Sequence, residues 1–253
     1  MILAAQEAGA GPPVVLLHGL FGAGKNLAPV QRALMESFRA ITLDLRNHGA
    51  SPHDACMDYP AMAADVAETL AAMGALPCAL IGHSMGGKVA MRLALEQPNT
   101  ITRLLVSDIS PVPYAPHLAP LVAALMALPL RPGMTRGEAD RALAPTIEDA
   151  TVRGFLLQNL RLDATPAWRI GLAEIAAALP AIEGWEAPEG AIYRGPTLFV
   201  AGARSDYIRA ENRAATRALF PIARFVTVKD AGHWVHADNF PGFVGVLTAF
   251  LRA

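Results

Sequence analysis

Six short apolar runs recur along the chain: "PVVLLHG" at 13–19, "RAITLDL" at 39–45, "PCALIG" at 77–82, "ITRLLVSD" at 101–108, "PTLFVAG" at 196–202 and "ARFVTVKD" at 223–230. Most are continuously apolar and do not alternate. A strand with one wet face alternates, whereas a strand covered on both faces does not. The runs therefore predict a parallel sheet sandwiched between helices. The segments between them carry helical patterns, at 58–74, 84–97 and 209–220, and a last helix is predicted over 239–253. Alternation of strand and helix implies right-handed βαβ units in one sheet. One region breaks the rhythm. From Pro111 to about Arg194 there is no convincing strand, only Pro- and Leu-rich sequence that reads as several short helices. The strand pattern resumes at Thr197, so this region is expected to be an insertion. The expected organisation is a single α/β domain with its core in 1–110 and 195–253 and an insertion over 111–194.

Composition narrows the class. A chain of 253 residues, 53% hydrophobic, can bury a core without disulfide or metal staples. A net charge of −1 gives no footing for nucleic acid or an anionic membrane as partner. Cys56 and Cys78 match no metal spacing and are expected as free thiols in a reducing compartment. The first residues, "MILAAQEAGAGPP", have neither a basic region nor a sustained apolar one. The longest nearly apolar stretch, 118–130, is interrupted by prolines and too short to span a bilayer. A soluble, cytoplasmic protein is expected.

The chemistry starts at "IGHSMGG", residues 81–87. Gly82-His83-Ser84-Met85-Gly86 matches G-x-S-x-G, directly after a predicted strand and directly before a predicted helix. A serine on such a sharp turn is strained and exposed, and a Cβ at either flanking position would crowd the backbone. Its Oγ lies near a helix N-terminus, where the dipole favours developing negative charge. Ser84 is thus the expected nucleophile, with the Met85 amide as an oxyanion donor. His83 is expected to be a structural neighbour facing away. A second loop, "HGLFGAGKN" at 18–26, nearly spells a phosphate-binding loop, but Asn26 stands where the Mg²⁺-binding hydroxyl would be. The preferred reading is a turn whose backbone supplies the second oxyanion donor, from Leu20 or Phe21, with His18 orienting it. The base should sit in a loop after the last strand. His233 fits, and His236, three residues on, is expected to be structural or pocket-lining. His48, His53 and His117 are expected to be exposed or locally hydrogen-bonded. No His, Asp and Glu set has metal-ligand spacing, and the chemistry requires no metal or other cofactor.

The order of these motifs, an H-G loop, G-H-S-M-G, an insertion and then "GHW", resembles the α/β-hydrolase superfamily over essentially the whole chain. "HGLFGAGKNL", "GHSMGGKVAMRLAL…ITRLLVSDISPVPY" and "LLQNLRLDATPAWRIGLAEI" are similar to the small YbfF-type bacterial esterases and their mitochondrial relatives. The resemblance implies an α/β-hydrolase fold with a mostly parallel sheet of about 7–8 strands, helices on both faces and a helical lid inserted after the sixth strand. It implies hydrolysis of short-to-medium acyl esters or thioesters. It also implies that "DLRNHGAS" at 44–51 buttresses the oxyanion loop through Asp44 and Arg46.

Two residues compete for the acid of the triad. The usual superfamily position falls on Ser205, which leaves Asp206 one residue late. The alternative is Asp108, at the end of the strand in "LLVSDISP". The YbfF-type resemblance favours Asp108, with Ser205 adding a hydroxyl to the network. Tyr114, Leu118, Leu121, Leu125, Trp168 and Ile170, together with Trp234, are expected to line an acyl pocket. The same triad could serve carbon–carbon, lactone or peracid hydrolysis. A halide-displacing enzyme would need a carboxylate at position 84. A non-catalytic binding protein on this fold would lack the Ser, His or glycines, and all are present. The expected partner is a small acyl ester or thioester, and oligomeric state has no signal in the sequence.

Overall fold

The computed structural model describes all 253 residues. In chain order the strands are β1 (Ala5–Ala8), β2 (Pro13–Leu17), β3 (Arg39–Leu43), β4 (Cys78–His83), β5 (Ile101–Ser107), β6 (Leu160–Arg161), β7 (Ala167–Trp168), β8 (Thr197–Gly202) and β9 (Arg224–Val228). The α-helices are α1 (Ala28–Leu34), α2 (Tyr59–Ala72), α3 (Met85–Glu96), α4 (Ala119–Ala127), α5 (Arg136–Leu143), α6 (Ala150–Leu157), α7 (Leu172–Glu183), α8 (Arg213–Leu219), α9 (Val235–Asp238) and α10 (Phe240–Arg252). Seven strands form one sheet in the order β1-β3-β2-β4-β5-β8-β9. All neighbours pair in parallel except β1 with β3.

The unbroken apolar strands feed two cores. Val15 and Leu17 of β2, Leu80 of β4, Leu104 and Val106 of β5 and Phe199 of β8 join a cluster with α2 and α3. Their neighbours in sequence, Val14, Leu16, Ile81, Leu105, Leu198 and Val200, point the other way and pack with α1 and α10. Alternating side chains leave opposite faces of a strand, so apolar residues at every position are what two covered faces require. The result is the expected α/β sandwich.

The region 111–194 contributes α4 to α7 and a small antiparallel pair, β6 with β7. Its apolar residues, Leu125, Leu143, Leu157, Ile170 and Ile175 among them, belong to the same buried cluster as α2 and α3. Three features differ from expectation. The insertion does contain strands, although each has only two residues. It follows the fifth strand in chain order, β5, where a sixth was expected. β1 is also additional: its sequence, Ala-Gln-Glu-Ala, is mostly exposed and has no apolar run, and backbone pairing with β3 alone defines it.

The parallel strands all end at one edge. β2 runs into His18 and Gly19, β4 into Ser84, β5 into Asp108, β8 towards Ser205 and β9 towards His233. Every residue singled out for chemistry in the core therefore lies beyond the carboxyl ends of strands, where open α/β sheets hold their ligands.

Candidate active site

The turn after β4 is made by close backbone packing. A Cβ on Gly82 would stand 2.2 Å from the carbonyl oxygen of Gly86, and one on Gly86 would stand 2.4 Å from that of His18. Glycine at both positions lets the strand reverse into α3 at once. Ser84 is held at φ 51°, ψ −121°, a conformation that persists only where the surroundings impose it. Its N–H donates to the Ser107 carbonyl at 2.9 Å. Its hydroxyl does not cap α3. Instead Oγ lies 3.0 Å from His233 Nε2.

His233 Nδ1 lies 2.8 Å from Asp108 Oδ2. The carboxylate accepts from Nδ1–H, which leaves Nε2 to accept from the Ser84 hydroxyl. Asp108 is fully buried and adopts φ 54°. Its Oδ1 accepts from the Gly202 amide at 3.0 Å, and the Ser205 hydroxyl donates to Oδ2. Asp206 lies apart from this group. It is exposed, and its backbone carbonyl accepts from Arg209 Nε at 3.0 Å. Two further rings hold His233. Tyr207 stacks on it, with centroids 4.2 Å apart and planes 27° apart. His83 Nε2–H donates to the His233 carbonyl at 2.8 Å. His83 was expected to face away, but its ring supports the His233 loop and reaches the cavity.

The loop after β2 is fastened from several sides. His18 donates from Nδ1 to the Gly19 carbonyl at 2.8 Å and accepts the Leu45 amide on Nε2 at 2.9 Å. Asp44 Oδ1 accepts from the Gly24 amide at 2.6 Å, and Arg46 Nε pairs with buried Asp65 at 2.6 Å. The Asp44 contact fits the buttress expected of 44–51, whereas Arg46 bonds Asp65 and the Cys56 and Ala61 carbonyls and reaches no residue of the loop after β2. The Phe21 amide donates to His48 Nε2 at 3.0 Å, and the Phe21 carbonyl accepts from Asn159 Nδ2 at 2.7 Å. Phe21 therefore has no N–H to offer a substrate, which leaves Leu20, of the two residues expected, as the oxyanion donor in this loop. The Leu20 amide has no partner. Met85 is the first residue of α3, so its amide has no intrahelical acceptor.

His48 is buried; it makes the local hydrogen bond expected of it, from Nδ1 to the Arg46 carbonyl at 2.9 Å, and also acts on the oxyanion loop. Burial pushes His18 and His236 down to about 4 and, with His18 adjacent, His48 to about 3. Burial lowers His83 too, well below the usual value. These groups are neutral in the fold and charge freely at about 6.5 once unfolded. Between pH 6.5 and about 4 the unfolded chain therefore binds protons that the native chain does not, and stability falls as pH falls. Each such histidine contributes a slope of about 1.4 kcal/mol per pH unit. His18, His48 and His83, all buried, act in the same direction, so the loss is steeper than any one of them alone would give. The urea midpoint is expected to drop steeply from pH 6.5 to 4.5. An unchanged midpoint over that range would contradict the burial of these neutral rings.

A cavity of about 200 Å³ opens onto Ser84 and His233. Leu20, Phe21, Leu118, Leu121, Phe155 and Trp234 line it. Tyr114 lies in an adjoining recess, where its hydroxyl donates to the Tyr207 carbonyl at 2.6 Å. Trp168, expected in the wall, is instead paired with Leu160 in the small β6–β7 hairpin. Leu125 and Ile170 are buried where the insertion packs into the core cluster. The proline-broken helices have no long apolar period from which their inward faces could be read. Tyr207, His48 and Asn159 were missed for a related reason: each acts through a partner distant in sequence. No group of three or more His, Cys, Asp or Glu side chains is placed to hold a metal ion, and no helix is long and apolar enough to cross a membrane.

Comparison with known proteins shows the family. The family described as alpha/beta hydrolase fold matches residues 12–240. The sn-1-specific diacylglycerol lipase ABHD11 of Xenopus laevis is 42% identical over 253 residues, covering 96% of this chain and 80% of its own. Esterase YbfF of Escherichia coli (strain K12) is 37% identical, covering 95% and 93%. Among solved structures, a marine microorganism esterase superposes with a TM-score of 0.94 at 33% identity, covering 98% of this chain and 99% of its own. The seven-stranded sheet, the serine turn after β4 and these likenesses lead to one assignment: the chain belongs to the α/β-hydrolase family.

Proposed function

We propose that the protein is a serine esterase, a carboxylic-ester hydrolase acting on short-to-medium acyl esters or thioesters through an acyl-enzyme. The observation that carries this reading is the continuous path from Ser84 Oγ to His233 and on to Asp108, at 3.0 and 2.8 Å, beside the unpaired Leu20 amide. The esterase and lipase names of the relatives support it.

Ser84 Oγ attacks the carbonyl carbon while His233 Nε2 takes its proton. Asp108 holds the ring in the tautomer that leaves Nε2 free and stabilises the imidazolium that forms. The negative oxygen of the tetrahedral intermediate is held by the Met85 and Leu20 amides, each worth about 3 kcal/mol in comparable sites. His233 then protonates the departing alkoxide or thiolate. Water enters, loses a proton to His233 and attacks the acyl-enzyme, and Ser84 leaves with that proton. Ser205 steadies Asp108. The insertion 111–194 acts as a lid, supplying Leu118, Leu121 and Phe155 to the cavity wall. The reaction draws on no cofactor.

Treatment with a fluorophosphonate tests the nucleophile. Ser84 Oγ displaces fluoride and keeps the phosphonyl group. A single adduct is expected on the peptide that contains Ser84. An adduct confined to another residue would overturn the assignment.

A further inference from the structure

The space around Ser84 has two arms. The larger is the cavity of about 200 Å³, and the smaller is a recess of about 50 Å³. Leu20, Ser84, Leu118 and Tyr207 belong to both, so the arms meet at the serine. Their remaining walls differ. His233 and Trp234 line only the larger of the two, whereas Met85, Lys88 and Ile182 line only the recess.

Resting on the esterase reading above, we propose that the recess is the acyl arm and the larger cavity the leaving-group arm, so that preferred esters join a short uncharged acyl group to a large apolar leaving group. The direction follows from the chemistry. The leaving oxygen must take its proton from His233 Nε2, so the group attached to it departs on the His233 side. The acyl chain is left on the side of Met85.

Size and polarity then set the class. A water-sized group needs about 10–15 Å³ of such space. The larger arm offers about four times the space of the recess, which admits only a short chain. The recess walls are pinned. Tyr59 Oη–H donates to the Ile182 carbonyl at 2.6 Å, and Tyr114 Oη–H to that of Tyr207 at 2.6 Å. Lys88 is 1% exposed, and its Nζ donates to the Gly184 carbonyl at 2.6 Å and faces those of Ile182 and Glu183. Its three donors are thus directed at the end of α7 and not at a ligand. Burial pulls Lys88 down to about 7, as expected of surroundings that disfavour charge. The Glu183 carboxylate is likewise engaged, accepting from the His117 and Leu118 amides at 2.6 and 2.9 Å. What remains for the acyl chain is a small recess whose apolar wall includes Ile109, Ile182, Tyr59 and Tyr114.

Octyl acetate and ethyl octanoate have the same formula and differ only in which side of the carbonyl carries the long chain. Acid release from each by the whole 253-residue chain reads the arms directly. The expected kcat/KM for octyl acetate is higher by about tenfold or more, since the part of the octanoyl chain that exceeds the recess loses its burial. Ile182→Ala enlarges the recess, and the ratio is expected to fall towards one through a gain on ethyl octanoate. Equal or reversed rates in the parent, with both activities lost in Ser84→Ala, would overturn the arm assignment and leave the esterase reading intact. Hydrolysis that persists in Ser84→Ala, or a parent inactive on both esters, would overturn the esterase reading and the arm assignment with it. A folded Ile182→Ala with an unchanged ratio would also overturn the role given to the recess. The parent ratio stands as a test even if that variant does not fold.

Discussion

Asp108→Asn is expected to lower kcat for p-nitrophenyl butyrate by about 10⁴, while Asp206→Asn stays near the parent value. The difference rests on geometry. Asp108 Oδ2 is 2.8 Å from His233 Nδ1 and is wholly buried. An amide in its place can turn its NH₂ towards Nδ1, which moves the ring proton to Nε2 and leaves no base facing Ser84. Gly202 and Ser205 would still hold the side chain in position, so the loss should appear in kcat far more than in folding. Asp206 is exposed and reaches no catalytic group, and its replacement removes only a surface charge. Steady-state kinetics on both variants, each checked for native fold by circular dichroism, separates the two acids. A collapse in Asp206→Asn with Asp108→Asn unharmed would reverse the assignment.

How much could be read in advance depended on whether a residue's role is set locally. β2, β4, β5 and β8 were legible because strands covered on both faces must be apolar at every position. β1 was not, because its exposed Ala-Gln-Glu-Ala carries no period and only pairing with β3 defines it. Ser84 and His233 were legible because each is bound to a strand end by a short glycine-containing turn. The acid was harder: Asp108 and Asp206 both follow strands, and only the pairing of β5 beside β8, distant in sequence, brings the Asp108 carboxylate within 2.8 Å of His233. The oxyanion loop was half legible. Its H-G turn is local, but the amide of Phe21 is occupied by His48, 27 residues away, and its carbonyl by Asn159, 138 residues away. The insertion was least legible. Prolines divide it into helices too short to show an inward face, and so Trp168 was wrongly expected in the cavity wall while Phe155 was overlooked.

Ser84→Ala carries the largest expected effect. Removing Oγ leaves His233 with nothing to activate and the Leu20 and Met85 amides with no attached intermediate to hold. Loss of the triad serine in a serine protease costs about 2 × 10⁶ in kcat, and what survives there comes from binding and the oxyanion site alone. The fold should be little affected. The Ser84 hydroxyl caps no helix, and the turn is formed by the contacts of Gly82 and Gly86, which the substitution leaves in place. The most direct measurement is therefore hydrolysis of p-nitrophenyl butyrate by the parent and by Ser84→Ala, side by side, at matched fold and concentration. The account predicts an active parent and a variant reduced by about 10⁶. A folded Ser84→Ala that turns over the ester at the parent rate would contradict it.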